Sequence, residues 1–235
     1  MNEIERLKRQ AAERAVEFVE DGMVLGLGTG STVRHVIEIL AERRKQGALR
    51  NVIGIPTSRA TEWLARDLGL RLSALEEEPR VDLTIDGADE VDPDLNLIKG
   101  MGGALLWEKI VACNSERLII VADEGKLVKR LGERVPMPLE VVPFGWNTQL
   151  SWLDHLGAEP VLRLAANGSP FVTDSGHYLI DCHFKDGIVE PMRVQREVRQ
   201  HPGVVDSGLF LGLADAVVVG GVDGPRVVNA EAAPR

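Results

Sequence analysis

The stretch VLGLGTGSTVRHVIEIL, Val24 to Leu40, is an apolar run that breaks into glycines and resumes as a periodic segment. Val33, Val36, Ile37 and Leu40 recur at helical spacing, so the order is strand, tight turn, helix. Such a turn sets backbone N–H groups at the positive end of a helix, where an anion is favoured. A dinucleotide fingerprint needs glycine at the sixth position of GxGxxG and an acid after the next strand. Here the sixth residue is Ser31, and the next strand runs out in Pro56-Thr57-Ser58. No Gly-Lys-Ser/Thr follows either, which removes a P-loop. The turn alone leaves two readings open: a seat for a monophosphate or sugar hydroxyl made of Thr29, Gly30, Ser31 and Thr32, or a structural turn capped by Ser31.

Outward from this turn the punctuation repeats. Upstream, Ile4, Leu7, Ala11, Ala15 and Phe18 mark an amphipathic helix ending near Gly22. Downstream, NVIGIPTS reads as strand, RATEWLARDLG as helix, VDLTIDGADEVDP as a strand ending in an acidic loop, GALLWEKIVACN as helix and RLIIVADEGK as strand. This alternation predicts a parallel sheet. At GERVPMPLEVVPFGW three prolines, Pro136, Pro138 and Pro143, break the pattern and mark a domain boundary. Beyond it come helix NTQLSWLDHLG, strand EPVLRLA, a hairpin turning at Asp174-Ser175-Gly176 and a charged helix from about Met192 to Gln200. VVDSGLFLG and ADAVVVGG read as buried strands, the last rejoining the first sheet, with EAAPR as a frayed tail. The expectation is a Rossmann-like, mostly parallel α/β sheet flanked by helices over 1–131 and 206–235, and a smaller α+β domain over 132–205.

A net charge of −9 over 235 residues argues against a general nucleic-acid or anionic-membrane binder, since both require a positive field. Any anionic ligand must be met by a local cluster of basic side chains and backbone amides. Cys113 and Cys182 lie far apart in apolar runs without CxxC spacing, so they are expected as reduced core thiols. The five histidines show no HxH or HExxH spacing, and no metal is expected. The N-terminus is charged from its second residue on and no apolar stretch approaches membrane-span length, so a cytoplasmic protein is expected.

The chemistry-bearing residues follow the strands. IDGADEVDPD gathers Asp86, Asp89, Glu90, Asp92 and Asp94 after a buried strand, at the kind of carboxyl end where parallel sheets bind ligands. Clustered carboxylates repel and can hold one proton near neutrality, as acid/base work requires; Glu90, Asp92 and Asp94 also read as a solvated acidic turn, and calcium lacks its usual spacing here. Residues 104–113 are apolar in nearly every direction, so a helix there is expected to be buried most of the way round. Glu108 then falls between Val111 and Ala112, where desolvation would raise its basicity toward that of a general base; a buried ion pair is the competing reading. Lys99 precedes Gly100, Met101 and Gly102 by sequence and stands nine residues before Glu108, so a loop folding back would bring ammonium and carboxylate to one small ligand. An ordinary surface lysine is the alternative. Lys126 and Lys8 complete the local positive charge that the overall balance withholds.

Five blocks, GLGTGST, TIDGADE, KGMGGALLWEK, ADEGK and PLEVVPFGW, in this order and spacing resemble the ribose-5-phosphate isomerases of type A, and the likeness continues into GVVDSGLFLGLADAVVVG. The resemblance implies interconversion of D-ribose 5-phosphate and D-ribulose 5-phosphate, without metal or organic cofactor, by a two-domain α/β subunit that assembles as a homodimer or homotetramer. It implies Glu108 as the proton-transferring base, helped by Asp86, Asp89 and Lys99. The sugar phosphate would be bound by Lys8, Thr29 to Thr32, Asp86, Gly87, Ala88 and Asp89, Lys99, Gly100, Met101 and Gly102, and Lys126. Two positions depart from the family pattern: Met101 replaces a glycine and Trp107 an arginine, with the spacing from Lys99 to Glu108 kept. A sugar-phosphate sensor would bind without turnover, a CoA transferase would be stabilised by CoA, and an amino-sugar phosphate deaminase would release ammonia.

Overall fold

The computed structural model describes residues 2–230, and the expected frayed tail at 231–235 lies outside them. In chain order the elements are α1 (Glu3–Val16), β1 (Val24–Leu27), α2 (Ser31–Lys45), β2 (Ile53–Pro56), α3 (Arg59–Asp67), β3 (Leu83–Gly87), β4 (Glu90–Val91), β5 (Leu97–Ile98), α4 (Leu105–Cys113), β6 (Leu118–Asp123), β7 (Met137–Val141), α5 (Gln149–His155), β8 (Glu159–Leu162), β9 (Tyr178–His183), α6 (Pro191–Val198), β10 (Val204–Ser207), β11 (Leu209–Phe210), β12 (Ala216–Gly220) and β13 (Arg226–Asn229). None of the described helices is long and apolar enough to cross a membrane.

By packing, the first unit comprises residues 2–88, 107–126 and 213–230. Its six-stranded sheet has the order β13-β12-β6-β3-β1-β2, parallel except for β13. The inner strands β1, β3, β6 and β12 are almost wholly buried, which is why they read as unbroken apolar runs instead of alternating ones. One face is covered by Ala11, Ala15 and Val16 of α1 and by Val33, Val36, Ile37 and Leu40 of α2, packed on Leu25, Leu27, Ile85 and Val121. On the other, Val111 of α4 packs against Ile55 and Val81. β12 rejoins this sheet beside β6, as its sequence predicts. β13 was not foreseen; it is a short, largely exposed edge strand and carries little apolar signal.

The second unit comprises residues 89–106 and 127–212. It holds an antiparallel sheet of order β10-β7-β9-β8 and a small three-stranded sheet β11-β5-β4. Its core includes Met137, Leu139 and Val141 of β7, Ile180 of β9, Leu153 of α5, and Val194 and Val198 of α6. Segments 89–106, 127–131 and 206–212 therefore pack with this unit, whereas the proline punctuation assigns them to the first. β7 hides inside that proline segment. It runs between two strands, and Pro138 is tolerated because it lies just past the last residue paired with β10, where only its carbonyl is used, accepting from Gly208 N at 2.7 Å. The turn expected at 174–176 forms, with Gly176 N donating to Thr173 O, but its first arm makes only an isolated bridge and β9 pairs with β8 and β7 instead.

Two further expectations are corrected by burial. Cys182 is buried, and burial together with the Asp181 carboxylate raises its thiol pKa, but Cys113 is exposed and is no core thiol. Helix α4 itself is buried most of the way round, as expected, and its exposed stripe is Ile110, 44% exposed, and Cys113. Glu90 belongs to no solvated turn: it is buried and accepts from the backbone N–H groups of Gly132, Arg134 and Val135 at 2.6, 2.6 and 2.9 Å.

Candidate active site

The first unit carries most of the expected residues along the carboxyl edge of its parallel sheet. β1 ends in the glycine turn, β3 in Asp86 and Gly87, and β6 in a short 3-10 turn, Glu124–Lys126. A side chain at Gly28 would overlap the Asp86 carboxylate and backbone, so only glycine lets β1 and β3 end this close together. Asp86 is 1% exposed; its Oδ1 accepts from Thr29 N at 3.0 Å and Gly87 N at 2.7 Å. The turn then reaches α2 through Gly30, whose φ of +117° suits glycine alone. Gly30, not Ser31, is the N-cap. It provides no side-chain cap, and the first turn of α2 has no acidic residue, which leaves the helix's positive end to the exposed Gly30-Ser31 edge.

Thr29 is used differently from Ser31 and Thr32. Its hydroxyl turns into a cluster with Thr57 Oγ1 at 2.9 Å, Ser58 Oγ at 2.8 Å and Thr61 Oγ1 at 3.2 Å, and Thr61 Oγ1 donates to Gly28 O at 2.7 Å. Ser58 also caps α3 through Thr61 N. Pro56-Thr57-Ser58 lacks the acid of a dinucleotide site, and its own signal is the run of hydroxyls at a strand tip.

Helix α4 runs antiparallel to the strands. Val111 lies against Gly26 in mid-strand, and Ser115, further on, bonds Thr84 Oγ1 at 2.7 Å. Glu108, one turn before Val111, therefore points toward the carboxyl edge. It is 3% exposed and sits in the first turn of α4. Lys126 is half-buried at the end of β6. Lys8 comes to this edge because Leu7 of α1 packs its backbone on Gly220 at the end of β12. Its ammonium pairs with Glu5 at 2.7 Å, and His35 Nε2 lies 3.0 Å from the other Glu5 oxygen. The hydrogen bonds from Lys8 and then His35 hold the Glu5 carboxyl below its usual range.

The second unit brings Asp89 together with the lysine loop. Asp89 N donates to Ile98 O at 2.8 Å, and its Oδ2 accepts from Met101 N at 2.9 Å. Lys99 follows β5, is 2% exposed and lies over the Phe210 ring at 5.6 Å, so it is not a surface lysine. Met101 needs no left-handed backbone, and its side chain is 40% exposed, so a side chain at this position brings no backbone strain. Trp107, in the first unit, lines a cavity of about 500 Å³ with Ile55, Leu72, Ile110 and Val111. Sequence reasoning missed Arg163, which bonds this loop from 62 and 63 residues away, because nothing local marks it. Among the described residues no group of His, Cys, Asp or Glu is arranged to hold a metal ion.

A family model described as ribose 5-phosphate isomerase A (phosphoriboisomerase A) matches residues 53–224. Ribose-5-phosphate isomerase A of Gloeobacter violaceus is 53% identical over 99% of this chain and 100% of its own length. A probable ribose-5-phosphate isomerase 2 of Arabidopsis thaliana is 45% identical over 96% and 87%. Among solved structures, a D-ribose-5-phosphate isomerase in complex with phospho-erythronic acid superposes with a TM-score of 0.94 at 40% identity, covering 97% of this chain and 100% of that one. The isomerase A of Methanocaldococcus jannaschii gives 0.91 at 41%, covering 96% and 99%. Agreement over the full length, in sequence and in backbone, means that this chain belongs to the ribose 5-phosphate isomerase A family.

Proposed function

We propose that this chain interconverts D-ribose 5-phosphate and D-ribulose 5-phosphate in the non-oxidative pentose phosphate pathway, with Glu108 as the base. The observation that carries the reading is a buried carboxylate in the first turn of α4, at the ligand-binding edge of the sheet, in a chain 53% identical to a named isomerase over its whole length. A carboxylate held out of water is the stronger base for its loss of solvation. Glu108 removes the C2 proton of the open-chain aldehyde, whose electrons move into a C1–C2 double bond while O1 takes up negative charge. It then returns the proton to C1, and the O2 proton passes to O1, so atoms and charge balance. Lys99, Asp86 and Asp89 stabilise and relay charge on the two oxygens and assist ring opening. Ser31, Thr32, Lys8 and Lys126, with the amides of the glycine turn and Gly87, Ala88 and Gly100 to Gly102, hold the phosphate and hydroxyls, and that remote binding orients the chain.

Phospho-erythronic acid, the ligand named for one related structure, supports this assignment, because its planar carboxylate has the shape of an enediolate end on a phosphorylated chain. The reaction as written requires no metal or organic cofactor. A homodimer or homotetramer in the cytoplasm is the setting that accords with the family. The test is Glu108→Gln, which keeps size and removes the base: turnover of ribose 5-phosphate, followed as ketose formation with EDTA present, falls by roughly 10²- to 10⁴-fold with the fold intact. Turnover within a few-fold of the parent would remove Glu108 from this role, and activity that EDTA abolishes and a metal restores would overturn the metal-free reading.

A further inference from the structure

We propose that Arg163 is a positioning residue for the isomerisation, acting through the loop 99–103; this rests on the reading above that Lys99 to Gly102 bind the sugar phosphate. Arg163 follows β8, and its own backbone is fixed on both sides, N–H to Leu179 O and carbonyl to Phe171 N. Its side chain is only 12% exposed. Nε donates to Asp181 Oδ2 at 2.9 Å and Nη2 to Asp181 Oδ1, while Nη1 donates to Gly100 O at 2.8 Å and to Met101 O at 3.1 Å. With Nη2 also donating to Met101 Sδ at 3.8 Å, all five donors of the guanidinium have a partner, and the Phe171 ring lies 5.9 Å from its centre. Gly103, closing the loop, has no room for a side chain, since a Cβ would meet Phe171 at 2.6 Å.

The consequence follows from the planarity of trans peptides, in which C=O and the next N–H point in opposite directions. With the Gly100 carbonyl turned to Arg163, the Met101 N–H faces the other way, and there Asp89 Oδ2 accepts it at 2.9 Å. With the Met101 carbonyl also turned to Arg163, the Gly102 N–H faces away from the guanidinium as well. A cation on one side of the loop and a carboxylate on the other thus fix which way the amides of 101 and 102 point. The same clamp sets the loop directly after Lys99, whose own N–H is tied to Gly208 O at 2.9 Å. Lysine at 163 cannot reproduce this, because a point charge on a flexible stem lacks the planar fork that reaches two carbonyls and a carboxylate together.

The test compares parent, Arg163→Lys, Arg163→Ala and Asp181→Asn for kcat and KM on ribose 5-phosphate, alongside thermal unfolding. If the amides and Lys99 serve the developing oxygen charge, Arg163→Lys remains folded and loses about 30- to 100-fold in kcat with KM changed less than threefold. Millimolar guanidinium restores at least part of the activity of Arg163→Ala and leaves the parent unaffected. Asp181→Asn, which keeps the clamp on the carbonyls, stays within about fivefold of the parent. A merely structural role predicts loss in step with lowered melting temperature and no rescue below it. Should Arg163→Ala not fold, Arg163→Lys and Asp181→Asn carry the comparison. A folded Arg163→Lys with kcat within threefold of the parent, a rise in KM alone, or a lack of guanidinium rescue in folded Arg163→Ala overturns the inference. A parent chain without turnover overturns the isomerase reading and this inference with it, whereas an active parent beside an unaffected Arg163→Lys sinks only the latter.

Discussion

The turn at 28–32 and the loop at 99–103 both present backbone amides, and they are held by opposite chemistry. In the turn, a carboxylate takes N–H groups, those of Thr29 and Gly87, and a hydroxyl donates to the Gly28 carbonyl. In the loop, a guanidinium takes carbonyls, those of Gly100 and Met101, and Asp89 takes one N–H. The turn is fixed by its immediate neighbours in the sheet, so its shape is settled once β1, β2 and β3 pair. The loop is fixed by Arg163, just past β8, whose guanidinium is itself held by Asp181 of β9. The first is a product of local sheet order, the second of a long-range polar clamp, and the two differ in how much substitution they tolerate.

The largest effect expected from breaking this contrast is at Gly28. Gly28→Ala drives a methyl group into Asp86, so the turn must shift; a loss of about 100-fold in kcat/KM and a destabilisation of about 1–3 kcal/mol or more are expected by steady-state kinetics and denaturant titration. Gly102→Ala is the matched substitution in the loop. No atom lies within 4 Å of the added carbon and the backbone there is not left-handed, so stability changes by less than about 1 kcal/mol. Equal destabilisation at both positions would erase the distinction.

A middle-sized effect is expected at Thr61. Thr61→Val keeps the shape and removes the hydroxyl that donates to Gly28 O and joins the Thr29 cluster, leaving a buried carbonyl without that donor. A cost of about 1–3 kcal/mol in chemical denaturation, with kcat lowered several-fold, is the outcome to check. The smallest effect is at Met101, where the sequence departs from the family's glycine. Met101→Gly leaves kcat within about threefold and lowers stability by roughly 0.5–1 kcal/mol, because a half-exposed side chain in an ordinary backbone conformation gives way to a more flexible residue. A tenfold gain in activity would show instead that Met101 obstructs the loop.

Much of the first unit was legible from the chain alone. Its strands are buried on both faces, so VLGL, LIIVAD and AVVVG stand out as apolar runs, and the helices between them are amphipathic. Glu108 stood out because an acid on an apolar helix is a local anomaly, and its burial agrees with that reading. The second unit was less legible. β4, β5 and β11 are two residues each, too short for any period, and β7 is masked by prolines that its position in the sheet makes harmless. Glu90 looks like any acid in an acidic loop; its burial follows from three amides near residues 132–135, which no local pattern announces.

By itself, then, the sequence determined the parallel sheet, the turn after its first strand and the acid on α4, because each is written in side chains adjacent along the chain or along one face. Only the tertiary structure decided which hydroxyls lock Thr29, that Cys113 and Ile110 lie outside, that Lys99 is buried, and that Arg163 holds the loop after it. Those depend on polar groups meeting across tens of residues, and a hydrogen bond between distant segments leaves no periodic trace in either of them.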